Sequence, residues 1–313
     1  MMDVNTRRLR YFVAVAEELH FSRAAARLFV AQQALSKQIR ELEGELGLTL
    51  LIRTTRRVEL TEDGERFLAV ARAVLAEWDD GLRRVRQASR AAQQTLRLGF
   101  VVGAALELTR PILAEFARRH PEIELHLQEA SLSDPSCGLA DGSSDLAILR
   151  PPLSLPGVKR LPLFVEPVVA CLASGHPLAA RRLVSPAELL DEPLTVGGGN
   201  DVAWRAFWTL SAFRGPDRPA RIVETSSPTE ETELVASGVA TALTAAASAR
   251  YLSRPGLVYV PVEPHPGSEV AVAWRQDVEN AAVTAFVEVA RAVRDAEREL
   301  IRGIEHPSVV NPH

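Results

Sequence analysis

In the stretch AQQALSKQIRELEGELG, residues 31–47, amides, a hydroxyl and cations are spaced to share one surface. If the stretch is helical, Leu35, Ile39, Leu42 and Leu46 fall at i, i+4, i+7 and i+11 and turn inward. Gln32, Gln33, Ser36, Lys37 and Arg40 then turn outward along its N-terminal half. That is the chemistry of base-edge recognition. Gln offers a donor and an acceptor and pairs bidentately with adenine, Ser bonds several bases, and Lys and Arg reach guanine or neutralise phosphate. Residues 48–60 hold two short β-prone runs around a basic, polar tip, a hairpin wing. Its Arg53, Arg56 and Arg57 are suited to grip the backbone or enter a minor groove. On these residues alone, an ordinary three-helix domain with a solvated polar face stays open.

The elements that would hold this surface are legible nearby. A first helix near residues 8–20 carries Leu9, Phe12, Val13, Ala16 and Leu19 as a buried stripe. Ser22 stands where an N-cap belongs, ahead of the helix-forming run Arg23-Ala24-Ala25-Ala26-Arg27-Leu28. The alanines let another helix approach closely. With the third helix at about 32–46, the second and third make a helix-turn-helix, whose later helix enters a DNA major groove.

Thr61 caps a fourth helix whose first turn holds Glu62, Asp63 and Glu65, suiting the helix dipole. Phe67, Ala71, Val74, Trp78, Leu82 and Val85 follow at spacings of 4, 3, 4, 4 and 3, close to a coiled-coil seam. Thirty helical residues make a rod of roughly 45 Å. Its narrow apolar stripe needs a partner; a second copy of the chain is favoured over the chain's own body. Residues 89–94, small and polar, read as a hinge.

From Thr95 the texture changes to short strands alternating with helices: strands at 96–102, 123–128, 145–149, 168–173, 221–224, 240–243, 257–262 and 270–274. Helices are expected at 111–119, after the capping box Ser185-Pro186-Ala187-Glu188, and at about 280–302. Such alternation argues an α/β body with mainly parallel sheets. Ligands of such sheets sit beyond the strands' carboxyl ends. The candidates there are Val102, Gly103 and Ala104, then Ser131 and Ser133, then Arg150, with Gly198, Asn200, Ser226 and Ser227 from the later half. Arg150 suits a bidentate carboxylate clamp, or equally a lobe-bridging salt bridge. The serines suit local capping better than ligand contact.

Other classes find little support. Gly197-Gly198-Gly199 is followed by no Gly-Lys-Ser/Thr, and no Gly-x-Ser-x-Gly or His-Glu-x-x-His occurs. The acidic run Glu230-Glu231, near Glu233, reads as a solvated helix face. Two separated cysteines, Cys137 and Cys171, make no disulfide framework and read as reduced thiols. The chain of 313 residues suggests two or three domains. Neither a signal-peptide core nor a run of roughly 20 apolar residues stands in it, so a cytoplasmic location and no membrane partner are expected. Residues 1–93 carry a net charge of +3 and the remainder −7, as a polyanion-binding module on a non-binding body would.

The stretch from Leu9 to Leu68 resembles the winged helix-turn-helix of LysR-type transcriptional regulators. Arg10-Tyr11-Phe12, Ala24-Ala25 with Leu28, Leu35-Ser36, Gln38-Ile39, Leu42-Glu43, Leu46-Gly47, Arg53, Leu60-Thr61 and Gly64 carry the likeness in order. One departure stands out: Ala31-Gln32-Gln33 replaces the family's usual Ser-Gln-Pro, losing a cap worth about 1 kcal/mol. LRLGFVVG, FARRHPEIEL, DLAILRPPL and SGHPLA extend the resemblance into a two-lobed effector-binding domain similar to periplasmic solute-binding proteins.

The resemblance implies an α/β chain with a winged helix-turn-helix at 1–60, a dimerising linker helix at 61–93 and an effector domain at 94–313. Lobe I would comprise about 94–165 and 267–305, and lobe II about 166–266. It implies that Gln32, Gln33, Ser36, Lys37 and Arg56 contact double-stranded DNA, and that the chain acts on a palindromic promoter site as a homodimer or tetramer. It also implies a small-molecule effector, RNA polymerase as a further partner, and neither cofactor, metal nor catalysis. Many relatives carry a hydroxyl residue where Gly103 stands, which there helps bind an acidic effector; its absence argues against a carboxylate here. The alternatives are a DNA-binding regulator with a vestigial cleft, or an enzyme or solute-binding protein whose N-terminal helices serve oligomerisation.

Overall fold

The computed structural model describes residues 5–53, 57–92, 94–215, 218–276 and 280–307. The chain divides into two compact units, Met1–Arg84 and Val85–His313. In the first, α1 (Thr6–Glu18), α2 (Phe21–Arg27) and α3 (Gln32–Leu46) precede an antiparallel hairpin of β1 (Leu51–Arg53) and β2 (Val58–Leu60), then the long α4 (Glu62–Ala92). Leu9, Phe12, Ala16, Ala24, Ala25, Leu35, Ile39 and Leu42 are buried together, so the spacing of apolar residues set which faces meet. Leu19, expected in the stripe, ends α1 in a left-handed conformation and is exposed. The cap of α2 is also not Ser22. The helix begins two residues earlier, at Phe21, and His20 Nδ1 accepts from the Ser22 and Arg23 amides at 3.2 and 3.4 Å.

The second unit takes in the last residues of α4 and continues with β3 (Thr95–Phe100), α5 (Thr109–Arg119), β4 (Glu124–Glu129), β5 (Leu146–Leu149), β6 (Val158–Glu166), β7 (Val168–Ala173) and β8 (Pro193–Gly197). Then come α6 (Val202–Trp208), β9 (Arg221–Thr225), α7 (Pro228–Ala236), β10 (Ala242–Ala245), α8 (Ser248–Tyr251), β11 (Leu257–Pro261), β12 (Ser268–Arg275), α9 (Ala281–Ala296) and α10 (Arg298–Glu305). One sheet has the order β4-β3-β5-β12-β6; β3 runs parallel to β4 and β5, while β12 is antiparallel to β5 and β6. A second, β10-β7-β11, is antiparallel, and β8-β9 is a parallel pair. The expectation of mainly parallel sheets is therefore corrected: the arrangement is mixed.

Phe116 of α5 and Phe286 of α9, 5.1 Å apart between ring centres, anchor the core over the larger sheet. The expected final helix is broken at Glu297. The Ser185 capping box forms, but closes a single 3-10 turn, Pro186–Leu189, rather than a helix.

Candidate functional site

The N-terminal polar surface forms as its spacing requires. Gln32, Gln33, Lys37 and Arg40 are exposed along α3 and Ser36 is partly so, opposite buried Leu35 and Ile39. Ala31 supplies no side-chain cap to α3, so amides of the first turn stay available to an anion. Ser22 Oγ donates to Gln32 Oε1 at 2.9 Å, and Lys37 lies 3.8 Å from Glu41.

The wing's arginines divide. Arg53 is not a free cation: it pairs with Glu43 at 2.5 Å, donates to Ser36 Oγ at 3.5 Å and stacks over Phe21. Glu43 in turn accepts from the Leu50 and Leu51 amides at 2.9 and 3.1 Å. Arg53 therefore fastens the wing to α3. Arg57 is exposed, with Glu59 at 2.7 Å. Arg56 lies outside the described residues.

The α4 seam also divides. Ala71 is fully buried and Phe67 packs on Phe12 at 5.3 Å, so both belong to the chain's own core. Val74, Trp78, Leu82 and Val85 are 46, 51, 37 and 67% exposed and form an apolar row without a partner among the described residues. The expected hinge at 89–94 is clamped at Arg90, which is buried. Its Nε and Nη2 donate to the Asp145 carboxylate at 2.6–2.9 Å, and Asp145 also accepts from the Arg97 amide at 2.9 Å.

A cleft of about 80 Å³ lies in the second unit, between the five-stranded sheet and the β7–β11 region, with room for a few waters or a small molecule. Of the ten sequence candidates only Val102, Gly103 and Arg150 line it. Arg150 is already engaged, ion-paired with Glu166 and donating to Ser268 Oγ at 3.1 Å. A salt bridge forms at Arg150, but within the five-stranded sheet, to the end of β6, rather than between lobes. Ala104 is buried outside the lining.

Ser131 Oγ donates to the Ser226 carbonyl at 3.0 Å and is 2.8 Å from Ser133 Oγ. Ser226 Oγ donates to Glu230 at 2.8 Å, and Ser227 Oγ caps α7 by accepting from the Glu230 amide at 3.2 Å. These four serines are structural. The triple glycine has a packing cause as well. A Cβ on Gly197 or Gly199 would meet the Leu132 or Ser133 carbonyl oxygen at 1.9 or 2.1 Å. Gly198 and Asn200 stay off the cleft.

What the sequence reading missed lies opposite. Thr195, Trp204, Trp208, Glu231, Thr244, Ser248 and Tyr251 line the cleft. Glu231, read as solvated, accepts from Thr195 Oγ1 at 2.8 Å, and burial pushes its carboxyl up to about 7. The signal was its position four residues before buried Val235 on α7.

Raised from 4.5 to about 7, this group makes the folded protein bind more protons than the unfolded chain between those pH values. Stability therefore falls as pH rises through that window. Glu231→Gln removes the penalty. At pH 8 urea titration is expected to find the variant more stable by about 2–3 kcal/mol, with the advantage vanishing near pH 4.5. Equal pH profiles for the two proteins contradict the assignment.

Both thiols are buried and free. Burial pushes the Cys137 thiol well above its ordinary range and that of Cys171 up to about 12, so neither offers a thiolate at neutral pH. Among the described residues no His/Cys/Asp/Glu group is arranged to hold a metal ion, and no helix is long and apolar enough to cross a membrane.

Two family models match the chain. One is the bacterial regulatory helix-turn-helix protein of the lysR family, over residues 6–65, and the other the LysR substrate binding domain, over 89–295. The HTH-type transcriptional regulator AlsR of Bacillus subtilis (strain 168) is 40% identical over 188 residues. That alignment covers 60% of this chain and 62% of AlsR, so it spans less than two thirds of that relative. A probable hydrogen peroxide-inducible genes activator of Streptomyces viridosporus is 33% identical over 93% of this chain and 94% of its own length. Among solved structures, full-length BenM superposes with a TM-score of 0.52 at 27% identity, covering 97% of this chain and all of BenM. With both of its units matched and one relative aligned almost end to end, the chain belongs to the LysR family of bacterial regulatory proteins.

Proposed function

We propose that the protein is a ligand-responsive transcriptional regulator that binds a palindromic promoter site as a dimer or tetramer. The observation that carries this reading is α3: an exposed face of Gln32, Gln33, Lys37 and Arg40 set on a helix whose opposite side buries Leu35, Ile39 and Leu42. A helix presented in this way enters the major groove with its N-terminal residues on base edges. Its uncapped amides and Arg57 of the wing contact phosphate.

A second copy covers Val74, Trp78, Leu82 and Val85 and so places two reading helices on one duplex. An effector in the cleft favours one arrangement of the DNA-binding arms over another, and RNA polymerase is the partner through which the output is read. A regulator with a vestigial cleft is disfavoured by the cleft itself, which is open and lined by a carboxyl, Glu231, that forms no ion pair with a Lys or Arg among the described residues. Peroxide sensing, which the Streptomyces relative's name suggests, finds no support in thiols held protonated by burial.

The test is fluorescence anisotropy with the DNA upstream of the protein's own gene, at salt concentrations from 50 to 300 mM, against a scrambled fragment. The expected result is binding at least about a thousandfold tighter than to the scrambled DNA, weakening steeply with salt. Equal affinity for both fragments at every salt concentration overturns the reading.

A further inference from the structure

We propose that the cleft is built for a small aryl-alkyl ammonium compound, its cation paired with Glu231 and its apolar body held against Trp204 and Trp208. The inference rests on the reading of this cleft as the effector site and names the class of effector.

Charge is the first argument. Arg150 and Glu231 are the charged side chains in the lining, and they are not equivalent. Arg150 already holds a buried carboxylate, Glu166, which is fixed further by accepting from the Ala247 amide at 3.1 Å. Glu231 has a hydroxyl donor, Thr195, but no Lys or Arg forms an ion pair with it among the described residues. Counting Glu166 with its partner, the site carries one uncompensated negative charge when Glu231 is ionised. Burying such a charge is costly unless a cation arrives, and a ligand ammonium is the cation that fits.

Glu231 is not needed by its own helix. Glu230 already serves the N-terminus of α7, accepting from the Ser226 amide at 2.7 Å and from its hydroxyl at 2.8 Å, while Ser227 caps the turn. Nor does Glu231 join a network: the groups that feel its charge, Cys171 and Tyr259, are neutral, and their own ionisation is opposed by it.

Shape is the second argument. Trp204 and Trp208 meet edge to face with ring centres 5.4 Å apart, and Leu106, Leu132 and Leu243 complete an apolar wall. Aromatic faces bind an aryl group and favour a cation close by. The volume of about 80 Å³ excludes a nucleotide or a peptide and restricts the ligand to a small molecule. Both indole Nε1 groups are buried without an acceptor. Those donors, together with Arg150, are what an anionic ligand would use instead, so the matched anion is the decisive control.

The experiment is isothermal titration of the full-length protein at pH 8 with 2-phenylethylammonium, 3-phenylpropanoate and 3-phenylpropanamide, probes with the same apolar body and charges of +1, −1 and 0. The expected order is ammonium first, by at least tenfold over the amide, with the carboxylate weakest. Glu231→Gln is expected to lose at least tenfold in ammonium affinity and to leave the amide unchanged, and Glu231→Asp to recover part of the loss. The Gln variant's unfolding midpoint, measured alongside, shows whether it is folded.

A carboxylate that binds tighter than the ammonium overturns the proposal. So does ammonium binding unaffected in a folded Gln variant, or no binding of the ammonium at millimolar concentration. Promoter binding measured on the same preparation separates the two readings. Specific binding without ammonium binding removes the effector class alone, whereas absence of specific binding removes the regulator reading.

Discussion

Gln32→Ala combined with Lys37→Ala is expected to lower affinity for the specific promoter site by roughly 30- to 1,000-fold. The figure follows from two lost major-groove or phosphate contacts at about 1–2 kcal/mol each. Non-specific binding, carried by phosphate contacts the double variant retains, should fall far less. The fold should be indifferent. Both side chains are exposed, and their partners within the chain are one hydroxyl at 2.9 Å and one carboxylate at 3.8 Å. Surface changes of this kind cost within about 0.5 kcal/mol. Anisotropy with specific and scrambled DNA, together with a thermal melt, measures all three. An unfolded variant, or one that loses both affinities equally, contradicts the assignment of α3 as the reading helix.

Arg90→Ala is expected to destabilise the second unit by about 3–5 kcal/mol, because it strands the fully buried Asp145 carboxylate. Replacing both partners, as Arg90→Met with Asp145→Leu, should cost much less than either single change, since no buried charge is left behind. Urea titration of the three variants checks this. A double variant as unstable as the sum of the singles shows that the pair is not the source of the effect. Asp145 immediately precedes β5 and Arg150 immediately follows it, so one rigid strand joins the anchor of α4 to the wall of the cleft.

The reading surface was legible because a leucine-and-isoleucine spacing of 4, 3 and 4 determines the opposite face of a helix. The partner of a stripe is not determined by the same pattern. Phe67 and Ala71 continue the periodicity of Val74 and Trp78, yet they pack on their own chain's α1 while the later pair stays exposed. Local preference also misled at α2, where Ser22 looked the better cap and His20 took the place.

In the effector domain the strand Val158–Glu166 escaped notice because Pro162 interrupts it. The sheet tolerates that proline because β6 is an edge strand and its register with β12 shifts beside it. The cleft residues came mostly from the later half, where Glu231 looked like one more solvated acid. Only the buried Val235 one turn on distinguishes its face. Of the triple glycine, Gly198 was the ligand candidate; Gly197 and Gly199 are required by backbone packing against Leu132 and Ser133, and Gly197 is the one that lines the cleft.

The central claim is that α3 lies in a major groove with Lys37 and its neighbours on base edges and phosphates. Dimethyl sulfate probing of the promoter complex tests it most directly, since the reagent methylates guanine N7 in the major groove and adenine N3 in the minor groove. The account predicts N7 protection in two patches about one helical turn or a multiple apart, lost in the Gln32→Ala, Lys37→Ala protein. Major-groove reactivity unchanged by the wild-type protein in a fully bound complex would contradict it.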